Sequence, residues 1–340
     1  MRLSRRVALA TGLALAWAGA TAARAQDKHV TIAYQTDAVP YAVGIQDGGL
    51  AKATGWKIDF RKFNSGAEIF AAIAGGSVDI GDLGSSPLAA STSNGLDVKV
   101  VFISSSAGRD EQLVVRNGSG IKTLADLRGK RLAAAPVSTD HYMLLSVLKQ
   151  EGIPESAVQF FAIPQPQIVA GWARGDIDAA FVWNPALNEL LHSGTSLLTA
   201  EQVAARGAPT FTAMVATSSF AEKNPEFLTA YLRAVQGYYE SYATNKAAWG
   251  PRSENATKLA ALLGGTPEQQ SEDLTYPVFP TRAQQLSKTW LAGGDDSGVA
   301  KALKSTADFL VSQQKIGDAL PGYGRFVTTR YLSAAQRAQD

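Results

Sequence analysis

Short apolar runs alternate along the chain with longer segments of helical periodicity. Residues 29–34 and 56–63 alternate apolar and polar positions, a pattern that predicts two strands. The segment between them, residues 41–53, has the spacing of one helix. Further strands are expected at residues 98–103 and 158–163. Because strands and helices take turns, the pattern favours an α/β fold with mostly parallel sheets.

Residues 75–90 hold the most informative turn. An apolar strand containing Val78 and Ile80 breaks at Gly84, and Ser85-Ser86-Pro87 then opens a helix. Serine is a favoured N-cap and proline a favoured first helical residue, so the sequence places the cap on the serines. A helix start has unpaired backbone N–H groups and partial positive charge, and it can therefore hold an anion without a charged side chain. An ordinary strand-to-helix turn is the alternative.

A similar unit recurs about a hundred residues later. Residues 67–88 and 167–187 each contain a helical run, a glycine, an apolar residue followed by Asp79 or Asp178, a short strand, and a polar residue before proline. This pseudo-repeat predicts two α/β lobes, each presenting a helix start towards a common cleft, with chance similarity as the alternative. Asp79 and Asp178 are interpreted as structural, because aspartate readily bonds nearby backbone.

A second helix start follows a strand that ends at Pro136. Ser138, Thr139 and Asp140 precede an apolar helical run, which is a good N-cap signature. The chain is expected to cross between lobes near residues 111–116 and to return near residues 212–216. Later helical segments, at residues 258–263, 282–290 and 299–314, are expected to pack on the first lobe, with a loop at residues 295–298.

The N-terminus has the pattern of an export signal. Arg2, Arg5 and Arg6 precede an apolar run, and Ala23-Arg24-Ala25 matches an A-x-A cleavage site. Residues 1–25 are therefore predicted to be a signal peptide, cleaved after Ala25, with Sec and twin-arginine export both open. The leader holds four arginines and no acid, so its loss changes the formal net charge from +2 to −2.

Composition narrows the function further. The 340 residues suffice for two domains, and 46% hydrophobic with 18% charged residues is typical of a packed soluble protein. Lysine and arginine are scattered, which argues against nucleic-acid binding. Cysteine is absent, and His29, His141 and His192 lack metal-ligand spacing. No catalytic residue, metal or cofactor is predicted, and no further segment could cross a membrane.

Six motifs in order carry a resemblance that spans nearly all of the mature chain. They are Ala33-Tyr34-Gln35-Thr36, residues 81–87, residues 138–142, residues 174–178, Phe181-Val182-Trp183 and Gly207-Ala208-Pro209-Thr210. Together they resemble the substrate-binding proteins of taurine and alkanesulfonate ABC importers. Each motif alone is weak, but the combination in this order is specific.

The resemblance implies a two-lobe periplasmic-binding-protein fold of type II, each lobe a mixed, mostly parallel sheet flanked by helices. Residues 26–111 with 213–340 are predicted to form lobe 1, and residues 112–212 lobe 2. It also implies a monomeric periplasmic solute-binding protein of sulfur metabolism that docks on membrane permease subunits. Closure on the ligand is expected by hinge motion near Gln112 and Thr212.

The resemblance also implies how the ligand is held. By position, the sulfonate would be bound by the hydroxyls of Ser85, Ser86 and Thr139 and by the amides of Asp140 and His141. Such a neutral cage is physically reasonable, because N–H and O–H donors can replace the water around a permanently ionised sulfonate while helix dipoles balance its charge. A clamping arginine is not expected.

The other end of the ligand is less determined. Its pocket is assigned to Gln35, Asp37, Glu111, Trp183 and Asn184. Related taurine binders place one acid just before the proline of the first loop and another two residues after the GAPT threonine, where this chain has valine and threonine. An ammonium in a dry cleft needs a counter-charge.

Several interpretations therefore stay open. Asp37, Glu111 or Asp140 could supply the counter-charge, or the ligand could be a sulfonate or another oxyanion without an amine. A secreted enzyme of similar fold acting on a small anion is the alternative from another class, and a sensor subunit is a third.

Overall fold

Two five-stranded sheets organise the protein in the computed structural model, which describes residues 28–337. The predicted signal peptide lies outside the described residues. The strands of the described chain are β1 (His29–Tyr34), β2 (Lys57–Lys62), β3 (Ile80–Gly84), β4 (Val98–Ser106), β5 (Glu111–Arg116), β6 (Arg131–Ala134), β7 (Gln159–Ala162), β8 (Ala179–Trp183), β9 (Gly194–Thr199) and β10 (Phe211–Thr217).

The two sheets share one topology. The first has the order β2-β1-β3-β10-β4, and the second has the order β7-β6-β8-β5-β9. In each sheet three strands are parallel, and a fourth strand runs antiparallel between the third and an edge strand. This correspondence is the pseudo-repeat that the sequence predicted, and the α/β two-lobe fold class is confirmed. The exact lobe boundaries stay a prediction.

The crossings between sheets follow from this topology. The chain leaves the first sheet after β4, builds the whole second sheet, and returns as β10, which lies between β3 and β4. Glu111 already pairs with Trp183 in the second sheet, and Thr212 pairs with Gly84 in the first.

Fifteen α-helices flank the sheets in the described residues. They are α1 (Ala42–Gln46), α2 (Gly49–Thr54), α3 (Gly66–Ala74), α4 (Ser85–Ser93), α5 (Thr139–Gln150), α6 (Gln165–Arg174), α7 (Ala186–Leu191), α8 (Ala200–Ala205), α9 (Ser218–Lys223), α10 (Pro225–Thr244), α11 (Glu254–Leu263), α12 (Pro267–Asp273), α13 (Arg282–Gln285), α14 (Gly298–Ser312) and α15 (Arg330–Arg337).

Three local predictions were wrong. The single helix expected over residues 41–53 is two helices, because Gly48 adopts a left-handed backbone (φ +71°) that ends the first. The helix expected over residues 282–290 stops at Gln285. The expected loop at residues 295–298 overlaps a 3₁₀ turn, Gly294–Asp296, and its last residue, Gly298, begins α14. No described helix is both long enough and apolar enough to span a bilayer.

The helices that follow β10 in the chain pack against the first sheet. Leu232 of α10, Leu259 of α11 and Leu303 of α14 are fully buried in one cluster with the strands of the first sheet, which confirms the expected packing. The second sheet carries a separate cluster on each face, with Leu113 on one side and Val114 on the other. Each lobe therefore has its own hydrophobic core.

The paired aspartates are structural, as predicted. Asp79 accepts a hydrogen bond from the Thr31 N–H at 2.9 Å, which ties the turn before β3 to β1. Asp178 accepts one from the Arg131 N–H at the same distance, tying the turn before β8 to β6, and also forms an ion pair with the Arg131 guanidinium at 2.6 Å. The same carboxylate thus links corresponding strands in both lobes.

Candidate functional site

A narrow cleft lies at the carboxyl ends of the central parallel strands of both sheets. In open α/β sheets this is the edge at which ligands bind. The cleft is lined by Gln35, Asp37, Gly66, Gly84, Pro87, Asp110, Glu111, Ser138, Thr139, Trp183 and Thr212. Five of the predicted site residues are thus brought together. Ser85, Ser86, Asp140 and Asn184 directly adjoin lining residues in the chain, and His141 lies two residues beyond Thr139.

The helix start at α4 differs in detail from the prediction. Gly84, in extended backbone, is the N-cap, and Ser85 and Ser86 are already the first helical residues. The Ser85 hydroxyl accepts a 3.4 Å hydrogen bond from the Phe211 N–H. The Ser86 hydroxyl is completely buried and has no hydrogen-bond partner within residues 28–337. A buried hydroxyl without a partner is costly.

The two helix starts meet across the cleft. A Cβ atom added at Gly84 would lie 2.8 Å from the Thr139 Cγ2 atom at the first turn of α5. Glycine is therefore required by close approach, since its φ of −67° is open to any residue. The partial positive ends of α4 and α5 consequently face a shared small space.

The start of α5 is capped as the sequence indicated. Ser138 is the N-cap, and its hydroxyl accepts a 3.1 Å hydrogen bond from the His141 N–H. The His141 Nδ1 atom accepts from the Val137 N–H at 3.1 Å, while its ring lies 4.9 Å from that of Phe160. Burial lowers the pKa of His141 to about 4, so the ring is neutral at pH 7. The His141 amide predicted to bind sulfonate is therefore already engaged in the cap.

Carboxyl groups dominate the rest of the cleft. Burial, assisted by the charges of Asp110 and Asp82, raises the pKa of Asp37 to about 7. Burial and the charge of Asp110 raise the pKa of Glu111 to about 8, and burial raises that of Asp110 to about 6. The pKa of Asp140 is raised well above its ordinary range by burial and by Glu111.

Hydroxyl groups provide hydrogen bonds to only one of these carboxyl groups. Thr139 donates a hydrogen bond to one Glu111 carboxylate oxygen, and Thr210 donates to the other at 3.4 Å. The residues that line the cleft include no lysine or arginine. An ionised carboxylate cluster in such a place calls for a positive partner, and a ligand with a cationic group would supply it.

Asp110 is the acidic residue of the cleft lining that sequence reasoning missed. It sits beside Glu111 at the first crossing, and its carboxylate accepts a 3.1 Å hydrogen bond from the Gly108 N–H. The signal was the Asp-Glu pair at the predicted crossing, of which only Glu111 was assigned to the site.

The lobes touch at the cleft's margin as well. The Thr36 hydroxyl donates to the Asn184 carbonyl oxygen at 2.8 Å, and the Asn188 side-chain amide lies 3.3 and 3.4 Å from the two carboxylate oxygens of Asp273. Asn184 therefore contributes its backbone to lobe contact, while its side-chain oxygen accepts from the Asn188 N–H at the start of α7. The structure shows the lobes in contact around the site.

The raised pKa values predict how stability depends on pH in protein without added ligand. A carboxyl whose folded-state pKa exceeds its unfolded value, about 4, binds protons more tightly when folded. Stability should thus fall as pH rises from about 5 through the Glu111 pKa of about 8. Chemical denaturation at a series of pH values measures this slope, and Glu111→Gln should flatten it.

Glu201→Gln, at an exposed position, is the matched control and should leave the slope unchanged. A Glu111→Gln protein with the same slope as the unmodified protein would contradict the assignment.

Comparison with known proteins identifies the family of this chain. Residues 23–264 match the model of the NMT1-like family. The chain is 38% identical to the taurine-binding periplasmic protein of Escherichia coli K12 over 98% of this chain and 100% of that protein.

Solved structures give the fold independently. The alkanesulfonate-binding protein SsuA of Xanthomonas axonopodis pv. citri, bound to MOPS, superposes with a TM-score of 0.71 at 22% identity, covering 89% of this chain and 97% of that one. The desulfurization enzyme DSZB has a TM-score of 0.59 at 15% identity, covering 92% and 100%, so binding proteins and an enzyme share this architecture. Because the family model matches residues 23–264 and the Escherichia coli relative aligns over nearly the whole chain, the chain belongs to the NMT1-like family and is related to the periplasmic taurine-binding proteins.

Proposed function

We propose that this protein is exported to the periplasm, captures taurine or a closely related organosulfonate, and delivers it to the permease of an ABC importer. The observation that carries the proposal is the meeting of the α4 and α5 starts at Gly84 and Thr139. The Escherichia coli relative that aligns with 98% of this chain is named a taurine-binding periplasmic protein. Cleavage after Ala25, action as a monomer and the absence of covalent chemistry belong to the same proposal.

The helix starts supply the sulfonate end. The Ser86 hydroxyl is buried without a partner in the described chain, and a sulfonate oxygen would satisfy it. The first amides of α4 and α5 add donors and partial positive charge. Because the Thr139 hydroxyl donates to Glu111 and the His141 amide to Ser138, we assign the contacts at α5 mainly to the amides of Thr139 and Asp140.

The carboxyl cluster supplies the amine end. Asp37, Asp110 and Glu111 line the cleft, whereas the positions that carry the acids in related taurine binders hold Val39 and Thr212. An ammonium close to these carboxyls would favour their ionised forms and return their pKa values towards the ordinary range. We therefore propose that Asp37, Asp110 and Glu111 supply the counter-charge in place of acids at positions 39 and 212.

Lobe closure completes the proposal. We take residues 26–111 with 213–340 as one lobe and residues 112–212 as the other, hinged near Gln112 and Thr212. The contacts of Gly84 with Thr139 and of Asn188 with Asp273 form only when the lobes meet. Ligand that binds across the cleft would favour this closed arrangement, which is the form that a permease could recognise.

Calorimetric titration with taurine and with ethanesulfonate tests the ligand assignment. Taurine should bind at least about tenfold more tightly, a difference of about 1.4 kcal/mol, because only taurine carries the ammonium that the carboxyl cluster needs. Equal or tighter binding of ethanesulfonate would reject the amine site while keeping a sulfonate site, and failure of both to bind would reject the sulfonate assignment.

Replacing the partnerless hydroxyl tests the anion end. Ser86→Ala should weaken taurine binding by about 1–3 kcal/mol, as for a lost buried hydrogen bond to a charged group. Ser91→Ala is the matched control, because Ser91 is equally buried on α4 but its hydroxyl donates to the Leu88 carbonyl oxygen. An unchanged dissociation constant for Ser86→Ala would remove Ser86 from the site.

The close approach of the helix starts predicts a steric effect with a rescue. Gly84→Ala should weaken taurine binding by about 1–3 kcal/mol, because the added methyl would press on Thr139 Cγ2 when the lobes meet. Thr139→Ser removes that methyl and keeps the hydroxyl, so the double variant should recover most of the affinity. If Gly84→Ala binds normally, the lobes do not close at this contact.

A further inference from the structure

Asp140 is an acid buried behind the cleft. It is fully buried in the first turn of α5, whereas Glu111, which lines the cleft, is half-buried. Neither Asp140 carboxylate oxygen receives a hydrogen bond from an N–H group or a hydroxyl within residues 28–337. A buried carboxylate in this state is very costly, so Asp140 requires either a positive partner or a proton.

The Asp140 carboxyl group meets another carboxyl group. Its side chain forms a hydrogen bond with that of Glu111. Two ionised carboxylates have no proton to donate to each other, so this contact requires a proton on one of them. Glu111 already accepts hydrogen bonds from Thr139 and Thr210, and such donors favour its ionised form. Asp140 has no comparable donors, and it is therefore the member that holds the proton.

The charges around Asp140 favour the same assignment. Burial and the nearby acids Glu111, Asp37 and Asp110 raise the pKa of Asp140. The next residue, His141, is neutral at pH 7, because burial lowers its pKa to about 4. The cleft-lining residues of the described chain include no lysine or arginine. No cation in this part of the molecule therefore takes the place of the proton.

The other elements packed against α5 supply no counter-charge either. α4 and β8 contain no titratable residue. Arg131, at the start of β6, pairs with Asp178, and Glu201 of α8 is exposed. The N-terminus of α5 favours negative charge, but none of its N–H groups donates to the Asp140 carboxyl group.

We propose that Asp140 is a positioning residue that stays protonated beside an ionised Glu111 and donates a hydrogen bond to it. This rests on the function proposed above and deepens it, because within the pair the counter-charge for the ligand amine falls to Glu111 alone. The pair then carries one negative charge, which matches one ammonium group. A second charge here would lie at the start of α5, where it would repel the sulfonate.

The pH dependence of stability without ligand tests the proton on Asp140. An acid whose pKa is raised on folding destabilises the protein as pH rises, until the folded-state pKa is passed. Glu111 completes this loss near its pKa of about 8, so Asp140 accounts for a loss that continues above it. Chemical denaturation of Asp140→Asn should therefore show a slope smaller by about one proton between about pH 8 and 9.5.

Asp318→Asn, at an exposed position outside α5, is the matched control and should leave this slope unchanged. A folded Asp140→Asn protein with the slope of the unmodified protein would overturn the proposal, because Asp140 would then already be ionised.

Taurine affinity tests the hydrogen bond to Glu111. Asp140→Asn keeps a donor and should weaken taurine binding by about two- to threefold, because an amide N–H donates a longer hydrogen bond than a carboxylic acid O–H. Asp140→Leu has a similar volume but no donor, and it should weaken binding by about tenfold or more, as for a lost hydrogen bond to a charged group. Thermal unfolding shows whether each variant is folded.

Equal losses of affinity in the two folded variants would overturn the positioning role. A counter-charge on Asp140 would be lost in both variants, and a passive side chain would matter in neither. If Asp140→Leu does not fold, the pH series decides. Failure of taurine to bind the unmodified protein would reject the proposed function, whereas the ligand-free pH series would still show whether Asp140 carries a proton.

Discussion

The contact between Gly84 and Thr139 is the constraint on which the site depends. It brings the N-termini of α4 and α5 to the same point, each at the carboxyl end of a central strand in its own lobe. A sulfonate gives up strongly bound water on entering such a place, and only preorganised donors can replace it. The repeated sheet topology, fastened in each lobe by Asp79 or Asp178, fixes where those donors lie.

The cleft also contains an acidic region, which has the opposite charge preference to the helix starts. Neutral donors at the helix starts suit an anion, while the enclosed carboxyls of Asp37, Asp110 and Glu111 suit a cation. Because they lie in one cleft, the two environments match a zwitterion better than a simple anion. Thr139 joins them, because it begins α5 and its hydroxyl donates to Glu111. A single residue thus contacts both the start of α4 and the carboxyl cluster.

Local signals in the sequence predicted much of this, and long-range contacts explain what they missed. The N-cap signature of residues 138–140 marked the start of α5, because a cap and its partner lie only three residues apart. The β1 boundaries match the strand predicted at residues 29–34. Gly84, not a serine, is the N-cap of α4, and Thr139, the residue that approaches it closely, lies in the other lobe. Asp110 was not assigned to the site, because residues from both lobes line the cleft around it.

A crystal structure of the protein with taurine tests the account most directly. The account predicts sulfonate oxygens within about 3 Å of Ser86 Oγ and of backbone amides at the start of α5, with the ammonium within about 3 Å of the Asp37, Asp110 or Glu111 carboxylates. A sulfonate held by arginine, lysine or a metal ion, or a ligand bound in the reverse orientation, would contradict it.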